Sequence, residues 1–409
     1  MYIILIQTDT NMYQEREMSA VLLSLDKFTQ MLSDKFVFDL EKMLYKYGKE
    51  ELIGFIETLQ KSFYMLLPLK DFDGNNITLL SCKINLTSQL KKILLKAYDG
   101  QKYGFQAMES EIISTLAIER IESTRDSVRK LLLGGAPTDE NNKKAYGIKK
   151  GLDFISDTSN EISEENLHML YMLSVGDYLS RDDALPKKSL YRDDVVYVVG
   201  DNITHEGLSW KKLPEYMDDL INYINTDDNL DQVVKSIVIH YYFVYLHPYF
   251  DGNGRMARLL QLWYLVQMGY SQALFIPFSA FINESKGKYY KAFTKISSNR
   301  KVSGVLDITP FVLYFTEHVF AKLGKKTIAI KVLSDIETLL SNGSVTVKEK
   351  ELINYVLSTY GYNEFSTKQL EKDFGNAAYA TIRGFVIKFE EHGILAKVKY
   401  GQRVKYRIV

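Results

Sequence analysis

The stretch HPYFDGNGRMAR, residues 247–258, constrains this chain more than any other. Two strongly apolar segments flank it, Ile237–Leu246 before and Leu259–Val266 after. Pro248 cannot sit in a helix interior, and Gly252 and Gly254 each weaken one. The pattern therefore predicts two buried helices joined by a polar loop. Such a loop, held between rigid apolar elements, is where chemistry is commonly placed.

The loop's composition indicates which chemistry. Consecutive N–H groups in DGNGR can point into one concavity and then open a helix, the arrangement that grips phosphate oxygens. Arg255 and Arg258 lie three apart on the first turn and can reach one polyanion. Asp251 can hold a hydrated Mg²⁺ between phosphates. His247, ending the preceding helix, can take a proton from a hydroxyl. Together these residues describe attack of a hydroxyl on a Mg²⁺-bound nucleotide phosphate.

Other readings fail on spacing. An EF-hand begun at Asp251 meets Met256 and Leu262 where Gly and Glu belong, and one begun at Asp71 has Cys82 at the bidentate position. No GxxxxGK[ST] loop and no HRD element occurs. With 51 Lys/Arg against 51 Asp/Glu, the chain has no overall polyelectrolyte character, so any nucleic-acid contact must be local. The lone Cys82 rules out an internal disulfide and favours a reducing compartment. The apolar run near the amino terminus is too short for a membrane span and lacks a basic flank, so a soluble, cytoplasmic protein without membrane contact is expected.

Across the 409 residues, helix signals dominate. Met108–Leu133 fits one or two helices and 143–180 reads helical. Val195–Val199 reads as a strand with a turn at 200–202. Helices are expected near 211–226, 231–246, 254–268 and 284–297. The last segment changes character: three helices (349–360, 367–374, 377–392), with Ser366 as an N-cap and Gly393 as a stop, precede a hairpin turning at 401–402. That order is a winged helix-turn-helix. From Ser366 onward nine Lys/Arg face four Asp/Glu, a local net of +5. The face suits either nucleic acid or a protein partner.

HPYFDGNGRMAR resembles the Fic family motif HPFxDGNGRxxR, differing at one fixed position, Tyr249 for Phe. The resemblance covers roughly residues 105–300. It implies a mainly α-helical core with a short β-hairpin flap, and a protein adenylyltransferase that moves AMP from ATP to a Tyr, Ser or Thr hydroxyl. Carried onto this chain, His247 would be the base and Asp251 the Mg²⁺ ligand. Gly252, Asn253 and Gly254 would form the anion hole, with Asn253 near the α-phosphate. Arg255 would hold the β-phosphate and Arg258 the γ-phosphate. Residues 191–202 match in position the flap that binds a target segment by strand addition, through Val196, Tyr197 and Val198. Tyr289 matches the residue that stacks on adenine, though in a chain with 29 tyrosines it reads equally as core packing. STLAIERIES (114–123) resembles the inhibitory helix [S/T]xxxE[G/N], with Thr115 and Glu119 in place and Arg120 where Gly or Asn is usual.

The expected organisation is an accessory helical region over 1–104, a Fic core with its inhibitory helix over 105–325, and a winged-helix domain over 340–409. The expected partners are ATP with Mg²⁺, a protein substrate, the chain itself as a target, a second copy in a homodimer, and DNA at the winged helix. Two other functions keep the same residues: a hydrolase removing AMP from a modified protein, and a DNA-binding regulator using the core as a nucleotide sensor.

Overall fold

A computed structural model describes residues 23–86, 94, 105–179, 184–199, 204–227, 229–324, 336, 339–360, 364–401 and 403–408. The fold is mainly helical, and its strands form three two-stranded antiparallel hairpins. Helices α1 (Leu25–Leu32), α2 (Leu40–Tyr47) and α3 (Lys49–Ser62) surround a small core of Phe28, Met31, Met43, Leu52 and Phe55. Hairpin β1–β2 (Met65–Lys70, Asn76–Leu79) turns at DFDGNN, where Asp71 Oδ1 accepts from the N–H groups of Asp73 and Asn75. Leu67, Leu69, Ile77 and Leu79 of this hairpin pack into the large central core rather than with α1–α3. Thr78 also exchanges backbone hydrogen bonds of 3.0 Å with Leu306 and Ile308.

The central core is built from α4 (Phe105–Ile118), α5 (Arg125–Leu132), α6 (Glu140–Ser156), α7 (Glu164–Ser174), α8 (Leu213–Asn225), α9 (Gln232–Leu246), α10 (Asn253–Gln267), α11 (Phe278–Glu284), α12 (Lys286–Ser303) and α13 (Thr309–Tyr314). Helices α9 and α10 are buried on nearly every side, as apolar residues on all faces require. They form the central pair that holds the polar loop. The helix expected near 284–297 is longer, and Ser285 separates it from α11; its hydroxyl donates back to the Phe281 carbonyl and meets Tyr314 Oη. Hairpin β3–β4 pairs Tyr197–Val199 with Thr204–Glu206; the turn expected at 200–202 lies outside the described residues.

The carboxy-terminal segment has α14 (Val347–Thr359), α15 (Thr367–Phe374) and α16 (Tyr379–Glu391), followed by β5 (Leu395–Tyr400) and β6 (Arg403–Ile408). Ser366 Oγ accepts from the Gln369 N–H at 3.1 Å, capping α15. Gly393, at φ 68°, follows the end of α16. Leu352, Phe365, Leu370, Phe385, Phe389 and Tyr406 share one separate core. Among the described residues no helix is long and apolar enough to cross a membrane.

Candidate active site

Helix α9 ends at His247, a non-glycine residue in the left-handed region at φ 52° and ψ 61°. Its N–H still donates to the Phe243 carbonyl at 3.1 Å, so the chain turns sharply while the helix stays capped. The imidazole is partly buried, and no side chain pairs with its Nδ1. Burial, and then the positive charge of Arg192, push the His247 pKa down to about 4, while a hydrogen bond with the Val244 backbone, then Asp251 and Glu119, pull the other way. At neutral pH the ring is uncharged, the state in which it can accept a proton.

The loop is closed by Asn253. Its Oδ1 accepts from the Tyr249 N–H at 2.9 Å and its Nδ2 donates to the Tyr249 carbonyl at 2.7 Å. Both ends of the amide thereby bind Tyr249, leaving one Nδ2 N–H of this side chain for an α-phosphate. Residue 253 also offers an anion its backbone N–H, one of the first-turn donors of α10 without an intrahelical acceptor. Tyr249 stacks on Tyr171 with ring centroids 3.7 Å apart, so the larger aromatic at this motif position is accommodated in the core. Gly252 sits at φ 84°, and a Cβ there would lie 2.4 Å from Val175. Only glycine fits both demands.

The two arginines are buried on the first two turns of α10. Arg255 Nη2 donates to Asp251 Oδ2 at 2.8 Å, leaving its Nε and Nη1 buried and unpartnered. Arg258 Nε donates to Thr115 Oγ1 at 2.8 Å and Nη2 donates to Glu119 Oε1 at 2.6 Å. Its Nη1 is buried without a partner. Buried donors in this condition are uncommon in folded proteins, where nearly all find an acceptor. Asp251 is half exposed, and among the described residues no group of three His, Cys, Asp or Glu side chains could hold a metal ion. A lone carboxylate of this kind fits Mg²⁺ shared with phosphate oxygens, not a metal caged by protein.

Glu119 reaches the site from the end of α4. The Ile121 N–H donates to the Leu116 carbonyl and the Arg120 N–H to the Ala117 carbonyl. This paired stop places residue 120 in the left-handed region, at φ 60°. Glycine or asparagine adopts that conformation readily, whereas an arginine loses about 1–2 kcal/mol there. The stop forms regardless, because Lys286 Nζ donates to the Ala117 and Ile118 carbonyls and Tyr290 Oη donates to Ile118. The Glu119 carboxylate lies so near α10 that a Cβ at Gly254 would fall 2.4 Å from its Oε1.

Not every expected residue joins the site. Tyr289 is 3% exposed, packs against Phe293, Phe311 and Tyr314, and its hydroxyl lies 3.0 Å from His240 Nε2. It is a core residue with a satisfied hydroxyl, the core-packing alternative its sequence context allowed. Val196, Tyr197 and Val198 lie at the start of β3, in a hairpin with no third strand among the described residues. Sequence reasoning missed Arg192, whose guanidinium lies beneath that hairpin. The only signal was a cation three residues before the apolar run 195–199.

Residues 161–265 match the family model described as Fic/DOC family. Protein adenylyltransferase fic-1 of Caenorhabditis elegans is 28% identical over 145 residues, covering 34% of this chain and 26% of its own length. A probable protein adenylyltransferase of Aquifex aeolicus is 25% identical over 245 residues, covering 56% of this chain and 71% of its own. A solved Fic family protein from Desulfovibrio desulfuricans superposes with a TM-score of 0.48 at 19% identity, over 80% of this chain and 97% of that one. The chain thus spans about a quarter of the length of the nematode proteins it matches.

Proposed function

We propose that this chain, which carries a Fic/DOC family domain at residues 161–265, is a protein adenylyltransferase held in check by its own Glu119. The observation that carries the reading is the set of buried, unpartnered guanidinium nitrogens near one helix start: Arg255 Nε and Nη1, and Arg258 Nη1. Unsatisfied donors of two guanidiniums beside free first-turn N–H groups suit a triphosphate.

In the reaction, the target hydroxyl oxygen attacks the α-phosphorus and its proton passes to the His247 imidazole. The bond from the α-phosphorus to the bridging oxygen breaks, and pyrophosphate leaves with the electron pair. The N–H groups of Asn253 and Gly254 face the negative charge, joined by that of Gly252 once Asp251 Oδ1 releases it, and Arg255 holds the β-phosphate. Arg258 would fix the γ-phosphate so that the leaving group lies in line. Asp251 is the residue that would hold Mg²⁺, which when bound neutralises phosphate charge. The open edge of hairpin β3–β4 suits a target segment added as a strand.

With Arg258 engaged by Glu119 and Thr115, the γ-phosphate grip is taken and the triphosphate lies askew. A misplacement of about an ångström is enough to lower the rate on the order of 10²-fold. The Glu119 side chain is 30% exposed, so it can leave without dismantling the core.

We read residues 340–409 as a winged-helix domain appended to a core over 105–325, with 1–104 as an accessory region, in a cytoplasmic protein. Register in β5–β6 sets Arg403, Lys405 and Arg407 opposite Tyr400, Val398 and Ala396, all on one face of the hairpin. That cationic face favours contact with DNA phosphates, an interaction that should weaken steeply with salt. Binding to duplex DNA that ignores salt would refute it.

The deciding experiment incubates the full chain with Mg²⁺ and ATP labelled either at the α- or the γ-phosphate. Transfer of AMP puts α-label, and no γ-label, on protein. Label from the γ-position alone would indicate kinase chemistry and overturn the reading.

A further inference from the structure

Arg192 is 2% exposed, yet it forms no ion pair with any described carboxylate. Its donors go instead to three backbone carbonyls on three segments. Nε donates to His247 at 2.8 Å, Nη1 to Asp194 at 2.5 Å, and Nη2 to Leu208. Its own N–H donates to the Pro248 carbonyl at 3.0 Å. Asp194 and Leu208 flank the two arms of hairpin β3–β4, and His247 and Pro248 open the loop of the candidate active site.

The neck of the hairpin closes over this guanidinium. The Gly207 N–H donates to the Val196 carbonyl at 2.9 Å. A Cβ at Gly207 would lie 2.7 Å from Val196 Cγ2 and 3.1 Å from Arg192 Nη2, so no larger residue fits there. Meanwhile His247 keeps its left-handed backbone with its carbonyl fixed by Arg192 Nε. Burying a cation against carbonyls alone is a poor way to gain stability, since apolar residues of similar volume generally do as well or better. The arrangement makes sense as a tie.

We propose that Arg192 is a positioning residue that locks the hairpin to the His247 backbone, so that a hydroxyl carried by a segment on the hairpin edge arrives at the imidazole. This rests on the adenylyltransferase reading for its purpose, but the tie itself is a mechanical claim. A purely structural arginine would, on removal, lower stability, nucleotide affinity and turnover together. A positioning arginine affects turnover selectively and uncouples the hairpin neck.

The test uses the full chain with Glu119→Gly, comparing Arg192 with Arg192→Gln and Arg192→Lys. Two readouts are taken: self-labelling from α-labelled ATP, and amide exchange at Gly207. Arg192→Gln should slow labelling at saturating ATP by about 10²-fold, as misplacement predicts. The half-saturating ATP concentration should change by less than about threefold, marking a loss confined to the reacting geometry. Exchange at Gly207 should speed up by at least about tenfold while that of α9 stays unchanged. Arg192→Lys, which can reach one carbonyl as a point donor, should recover part of both signals. Should the glutamine variant fail to fold, the lysine variant carries the same prediction at smaller size. Labelling at the parent rate, ATP affinity lost in step with turnover, or Gly207 exchange at the parent rate overturns the proposal. If the Glu119→Gly parent takes no label at all, the enzymatic reading fails, and Gly207 exchange alone decides whether the tie exists.

Discussion

Helix α9 carries two histidines seven residues apart, His240 and His247, and they sit in opposite surroundings. His240 is fully buried and both ring nitrogens are satisfied, Nδ1 by Gln261 Oε1 at 2.7 Å and Nε2 by the Tyr289 hydroxyl at 3.0 Å. His247 is partly open, no side chain pairs with its Nδ1, and its backbone is left-handed. Burial lowers both pKa values, to about 3 and about 4. A pKa shift therefore does not separate a structural histidine from a working one. Side-chain partners do: the fold bonds both ring nitrogens of His240 to side chains, gives His247 none, and leaves donors open on Arg255 and Arg258.

The contrast breaks most directly at the two histidines. His247→Ala should reduce AMP transfer by about 10²–10⁴-fold, the usual loss with a general base, while ATP binding stays within a few-fold. Isothermal binding beside a labelling assay separates the two, and an equal collapse of affinity would remove His247 from the role of base. His240→Phe should do the reverse. It orphans Gln261 and Tyr289 in the core, at about 1–3 kcal/mol per unsatisfied group, while activity per folded molecule is retained. Denaturant titration reads the loss, and unaltered stability would mean that His240 is not the satisfied core group described here.

Acid sharpens the same comparison. The unfolded chain takes a proton on each histidine near pH 6.5, and the native protein takes them only near 3 and 4. As pH falls below 6.5 the unfolded state binds more protons, so stability declines, by up to about 1.4 kcal/mol per pH unit for His240. His240→Phe should flatten that decline between pH 6.5 and 4. The rate should hold until pH nears 4, where His247 gains its proton. An acid limb near 6.5 would show that the ring is not shielded as described.

A smaller effect is expected at the end of α4. Arg120→Gly relieves a left-handed arginine, which is worth about 1–2 kcal/mol, and should steady the turn that presents Glu119. Basal labelling should fall several-fold and the thermal midpoint rise. A rise in labelling would mean that the turn and the lock are not connected.

Much of this site was legible because it is local. HPYFDGNGRMAR places the proposed base, the proposed anion hole and two arginines within twelve residues. The Thr115, Glu119 and Arg258 contact was legible through a motif, although its partners lie 139 and 143 residues apart. What stayed hidden depends on depth and on distant backbone. Nothing near Tyr289 says that its hydroxyl will meet His240 from another helix. Nothing in the motif says that the loop folds the Asn253 amide onto Tyr249. Arg192 has backbone carbonyls as partners, which no residue type betrays. The hairpin Met65–Leu79 joins the central core through pairing with residues 306–308, a contact between segments more than two hundred residues apart in the chain.

The central claim is that Glu119, by engaging Arg258, holds an otherwise complete site idle. It is tested by α-label incorporation into the full chain, wild type against Glu119→Gly, at equal ATP, Mg²⁺ and protein concentration. The account predicts at least about tenfold more label on the variant, equivalent to ~1.4 kcal/mol of relieved inhibition. Arg258→Ala should stay silent, and adding it to Glu119→Gly should abolish the gain. Equal labelling of the wild type and Glu119→Gly would contradict the account and leave the 2.6 Å contact with Arg258 as an ordinary buried ion pair.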